Sequence, residues 1–108
     1  MAEVLVYVTA ASPDQALAIA RAVVNERLAA CVNILGPITS VYRWQGDVCE
    51  ESEVAFLVKT REDLVDALGE RIRALHEYAC PCVIALPIAG GNPAFLQWID
   101  EECRETPA

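Results

Sequence analysis

No stretch of this 108-residue chain is apolar over the roughly 20 residues a bilayer crossing needs, so a helical membrane span is excluded. Positive charge is scarce. Eight Lys and Arg stand against sixteen Asp and Glu, for a net charge of −8, and the basic residues form no stripe. That pattern argues against nucleic acid or an anionic membrane as a partner. Val4 to Val8 is too short and lacks the basic flank of a secretory signal, and it reads as a strand. There is one His, and no nucleophile elbow, Walker loop, dinucleotide fingerprint or HExxH. Acyl-transfer, nucleotide-driven and zincin chemistries therefore have no foothold, and the chain reads as a protein that is not an enzyme. Five cysteines are an odd number without the spacing of a disulfide framework. Reduced thiols in the cytoplasm are the simplest expectation.

Apolar side chains are plentiful, at 55% of residues, which suits one globular domain over residues 1–108. Glu3 to Thr9 is β-branched and aromatic and predicts a buried strand. Ser12-Pro13-Asp14-Gln15 supplies a helix start: a capping Ser, Pro at the first helical position and Gln three residues after the cap. That helix is expected to run to about Ala29, with Ala16, Ala20, Val23 and Arg27 on one stripe and Leu17, Val24 and Leu28 on the next.

Cys31 to Trp44 and Val48 to Lys59 read as the arms of one hairpin, joined through Gln45-Gly46 and interrupted at Gly36-Pro37. Arms of that length span roughly 40 Å, whereas a domain this size has a radius of gyration of about 13 Å. The hairpin must project. Thr60-Arg61-Glu62-Asp63 is expected to cap a second helix with Leu64, Leu68, Ile72 and Leu75 on one face. Val83 to Pro87 is the last strand, and Asn92-Pro93 opens a short helix carrying Phe95, Trp98 and Ile99.

The order β-α-β-β-α-β followed by α is an α+β, ferredoxin-like sandwich with an extra C-terminal helix and a long hairpin between its second and third strands. Both faces of the sheet are apolar, because Leu5, Tyr7 and Leu57 alternate with valines and Phe56. Two helices cover one face, so the other calls for sheet-on-sheet self-association.

His76-Glu77-Tyr78-Ala79-Cys80-Pro81-Cys82 is the one constellation with possible site chemistry. An imidazole and two thiols within seven residues can converge on Cu(I) or Zn(II), although CxC is not the CxxC of zinc motifs. Equally, they are small residues packing where a helix meets a strand. Cys49 sits among Glu50, Glu51 and Glu53, which split between two faces of the strand. Tyr42 and Trp44 alternate on the projecting arm, as subunit-interface anchors or the lining of an intersubunit pocket.

Several blocks resemble the CutA divalent-cation tolerance family. They are Leu28-Ala29-Ala30-Cys31-Val32-Asn33-Ile34, Ser40-Val41-Tyr42-Arg43-Trp44-Gln45-Gly46 and Val58-Lys59-Thr60, then His76-x-Tyr78-x-x-Pro81, Ile84-Ala85-Leu86-Pro87 and Leu96-x-Trp98-Ile99. The resemblance implies a homotrimer similar in architecture to the PII signalling proteins, with long hairpins joining neighbouring sheets. It also implies a role in divalent-metal and copper tolerance. No cofactor is required, and the candidate ion is a divalent metal or copper.

On this basis His76, Cys80 and Cys82 are the candidate ligands. Cys31, Tyr42, Trp44, Lys59, Tyr78 and Trp98 are the expected interface and cleft residues. The family commonly has His-Pro-Tyr where Glu77 stands here, and Pro-Glu where Cys82 follows Pro81. Some members have a cysteine at the position of Val8. The competing expectation is a PII-like regulator that holds a small ligand between subunits near Tyr42, Trp44, Lys59 and Tyr78 and signals to a protein partner. An enzyme using Cys80 or Cys82 as nucleophile ranks last, since only His76 is in view as a base.

Overall fold

Valines at every second position give the first strand one fully apolar face, and that face organises the rest of the chain. A computed structural model describes residues 2–105. The elements are β1 (Glu3–Ala10), α1 (Pro13–Asn25), β2 (Cys31–Trp44), β3 (Asp47–Arg61), a 3-10 turn (Glu62–Leu64), α2 (Val65–Leu75), β4 (Val83–Pro87) and α3 (Pro93–Glu102). The four strands form one antiparallel sheet in the order β2-β3-β1-β4. Val4, Val6 and Val8 of β1 and Val54, Phe56 and Val58 of β3 pack against Ala16, Ile19 and Val23 of α1 and Leu68 and Ile72 of α2. This is the expected α+β, ferredoxin-like arrangement with its additional C-terminal helix.

The Ser12 cap forms as expected, with the Gln15 amide donating to Ser12 Oγ at 3.2 Å. The helix it starts is shorter than expected and ends at Asn25, not near Ala29. Arg27 takes a left-handed backbone with φ of 59°, which turns the chain out of the helix. Leu17 and Val24 face outward, because one sheet face can bury only one stripe of the helix.

Thr60 is not a cap either. β3 continues through Arg61, and the Thr60 hydroxyl donates to the Leu28 carbonyl at 2.7 Å. Leu64 precedes α2 and packs with Ala30, Ile99 and Cys103 in a second cluster beneath α3.

The hairpin turn has φ of 49° at Gln45 and 88° at Gly46, the two positive values of a type I′ connection. Gly36-Pro37 does not interrupt β2. A bulge between Ile34 and Gly36 leaves Leu35 unpaired, and pairing resumes with Gly36 opposite Ala55. The extra residue exchanges the two faces. Cys31 and Asn33 look away from the helices before it, and Ser40, Tyr42 and Trp44 do so after it. The hairpin stretches the chain to 43 × 27 × 24 Å.

The sheet face opposite the helices carries Leu5, Tyr7, Leu57, Ile84 and Leu86 in register. Ile84 is 54% and Leu86 51% exposed, so this apolar face is bare in the single chain.

Candidate functional site

On the helix-free face, the pairing of β2 with β3 sets Ser40 opposite Glu51 and Tyr42 opposite Cys49, with Trp44 beyond them toward the turn. Glu53 follows on the same face one pleat nearer the core, while Glu50 points to the other side. The α2–β4 connection then crosses the end of β1. The result is a groove of about 640 Å³, bounded by the hairpin, by Tyr7 and Thr9, and by the segment from Tyr78 to Cys82.

His76 holds that connection in place. Its Nε2 lies 2.7 Å from the Thr9 carbonyl, and its Nδ1 accepts the Tyr78 amide at 3.0 Å. This pair of bonds assigns the proton to Nε2. The ring is buried and sits 4.7 Å from that of Tyr78. With both nitrogens engaged, His76 does not line the groove, whereas Cys80 and Cys82 both do. Among the described residues, no three His, Cys, Asp or Glu side chains come together as a metal-holding group. All five cysteines are free thiols.

The groove is electrostatically negative. The Tyr78 hydroxyl donates to Glu53 Oε2 at 3.2 Å. Burial, with the Glu53 charge adding to it, pushes that hydroxyl up to about 12. Burial and the Glu51 carboxylate likewise raise Tyr42. The Cys82 thiol is raised by burial first and then by Glu53, so at neutral pH it is a protonated thiol and a poor nucleophile.

The Tyr78 shift predicts an alkaline effect. The folded state holds this proton more tightly than the unfolded chain, where tyrosine titrates near 10. The stabilisation is therefore complete below pH 10 and lost as pH rises toward 12. Urea unfolding between pH 9 and 12 should show this loss of stability, and Tyr78→Phe should flatten it.

The expected interface residues divide into two groups. Tyr42, Trp44 and Tyr78 meet in the groove. Cys31, Lys59 and Trp98 lie at the other end of the open face, with Cys31 opposite Lys59, the Lys59 ammonium 5.2 Å from the Phe95 ring centre, and Phe95 5.2 Å from Trp98. Sequence reading missed Tyr7 and Thr9 and did not single out Glu51 and Glu53 as site residues. The parity of the hairpin was available, since the Gln45-Gly46 turn dictates which residues face one another. The contact between Glu53 and Tyr78, 25 residues apart, had no local signal.

No helix among the described residues is long and apolar enough to cross a membrane. The family model described as CutA1 divalent ion tolerance protein matches residues 4–102. A divalent-cation tolerance protein CutA of Thermus thermophilus is 50% identical over 92% of this chain and 96% of its own. The chloroplastic CutA 1 of Oryza sativa is 47% identical over 95% of this chain, which spans 58% of that longer protein. The crystal structure of CutA1 from Oryza sativa superposes with a TM-score of 0.95 at 45% identity, covering 98% of this chain and 97% of that one. The family is named for tolerance of divalent cations and not for a reaction, and this chain belongs to it: it is a member of the CutA divalent-cation tolerance family.

Proposed function

We propose that this chain works in the cytoplasm as a non-catalytic homotrimer that binds thiophilic cations weakly and so contributes to divalent-metal and copper tolerance. The observation that carries the cation reading is the groove itself, in which the thiols of Cys80 and Cys82 stand with the carboxylates of Glu51 and Glu53. Sulfur donors favour Cu(I) and Zn(II) over hard cations, and two thiols per protomer without a third converging ligand suit weak binding. His76 contributes by anchoring the segment that carries them. Self-association is supported by the bare apolar face and the projecting hairpin, and three copies by the family resemblance.

Calorimetric titration of the reduced protein with Cu(I) and Zn(II) tests this reading. Binding in the micromolar range is expected, and it should be lost in the Cys80→Ala, Cys82→Ala double variant. His76→Ala should instead lower the melting temperature. No heat from the parent protein, or unchanged affinity in the double variant, contradicts the reading.

A second reading is favoured by the lining of the same groove. Its volume is within the range of small-molecule pockets, and much of its wall is aromatic. A PII-like regulator would hold a small ligand there and pass its presence to a protein partner through the hairpin. Lys59, at the far end of the face, would not take part in holding it.

A further inference from the structure

We propose that a hollow between the start of α1 and the end of α2 binds a primary alkylammonium group. Its three N–H bonds go to Gln15 Oε1, Asp14 and Glu77, and its carbon chain lies along Ala18, Ile19 and Leu75. All six residues line this hollow, which has a volume of about 470 Å³. It lies on the helix-covered side of the sheet, which the proposed self-association leaves open, and it shares no lining residue with the groove described above.

Gln15 carries the inference. It is 9% exposed, and its buried Oε1 has no hydrogen-bond donor. A buried acceptor left unpaired costs free energy, so this oxygen calls for a donor from outside the chain. The side chain borders the hollow, and its terminal amide turns on a soft torsion, so a ligand there can meet the oxygen.

The surrounding groups decide the sign of the ligand's charge. Of the first three residues of α1, Pro13 has no N–H and the Gln15 amide is already donated to Ser12 Oγ, so the helix start offers an anion little. Asp14 and Glu77 are exposed carboxylates, and among the described residues no Lys, Arg or His pairs with them. Asp14 has a place without any ligand, since negative charge suits the first turn of a helix; the Gln15 oxygen has none. Leu75 is the last residue of α2, and a helix C-terminus favours positive charge. The net charge of −8 adds a long-range attraction for a cation.

A metal ion is the less suitable occupant. Hard cations of the calcium type take about six to eight oxygen ligands. Here no third His, Cys, Asp or Glu joins the two carboxylates, and the aliphatic wall supplies no donor atoms. Three acceptors beside an aliphatic wall match an –NH3+ group on a carbon chain.

Calorimetry on the reduced protein in its native assembly with n-butylammonium tests the proposal. Butyltrimethylammonium is the comparison, a cation of the same charge and chain that has no N–H to donate. Butylammonium should bind in the millimolar range or tighter, and the quaternary cation should bind weaker by on the order of tenfold or more. Gln15→Met keeps the length of the side chain and removes the acceptor, and it should weaken butylammonium by a similar factor. Glu77→Gln should also weaken it, while Glu51→Gln, in the other groove, should leave it unchanged. Equal binding of the two cations reduces the effect to charge attraction and overturns the proposal. Unchanged affinity in Gln15→Met assigns the buried oxygen to an ordered water and overturns it as well, as does the absence of any heat from butylammonium.

Discussion

Ile84→Asp is expected to dissociate the proposed oligomer into folded monomers. Ile84 is 54% exposed in the single chain, on an edge strand and facing away from the helices. A carboxylate there meets water in the monomer, so the fold itself should lose little. In the proposed assembly the same position would lie within the apolar face formed with Leu5, Tyr7, Leu57 and Leu86. Burying an unpaired carboxylate in that face costs several kcal/mol per copy, beyond the apolar burial that is lost. Size-exclusion chromatography with light scattering should show the mass falling to that of one chain, with the circular dichroism of the native fold retained. Val24→Asp provides a control, because Val24 is exposed on the opposite, helical side and should leave the mass unchanged.

Arg61→Ala is expected to cost about 1–3 kcal/mol of unfolding free energy, the penalty for leaving hydrogen-bonded groups without their donor. Arg61 is 7% exposed at the end of β3. Its guanidinium grips Asp63 through both carboxylate oxygens, at 2.9 and 3.2 Å. It also donates to the carbonyls of Asp100 at 3.0 Å and of Arg104. Those carbonyls lie at the C-terminal end of α3 and beyond it, where helical acceptors lack intrahelical donors. Arg27 acts alongside it on the carbonyls of Glu101 and Glu102. Removing Arg61 therefore loosens α3 as well as Asp63, and amide exchange in α3 should accelerate more than in β1 or β3. Arg61 holds the Asp63 carboxyl below the usual carboxylate range, chiefly by its hydrogen bonds. That contribution is present above the unfolded pKa and is lost as pH falls through the folded one, so the cost of Arg61→Ala should shrink in acid.

Much of the architecture is legible where one local rule decides the outcome. Ser12-Pro13 marks the start of α1, Asn92-Pro93 that of α3, and Gln45-Gly46 the hairpin turn, each because backbone geometry depends on the residues present. The two-faced apolar alternation of β1 announced an open sheet face, which the single chain has. The errors fall where distant parts of the chain decide. The helical stripe through Leu17 and Val24 continues past Asn25, but Arg27 turns left-handed and its side chain is taken up by α3, 74 and 75 residues away. Thr60 has the chemistry of a cap, but its hydroxyl satisfies Leu28 inside the fold.

The groove was legible in part. Tyr42, Trp44, Tyr78, Cys80 and Cys82 were all singled out from sequence, and all five line it. His76 was singled out as well, but as a ligand; its two ring nitrogens instead pin the connection to Thr9 and Tyr78. Nothing in the spacing of His76 reveals that bond to Thr9, 67 residues away. Glu53 stands in an acidic run, and nothing local in that run reveals its hydrogen bond from Tyr78.

Self-association through the open sheet face is the central claim, and sedimentation equilibrium of the reduced protein at micromolar concentration tests it most directly. A single species of three times the 11.8 kDa chain mass is expected, together with loss of that species in Ile84→Asp. A parent protein that sediments as one 11.8 kDa chain contradicts it.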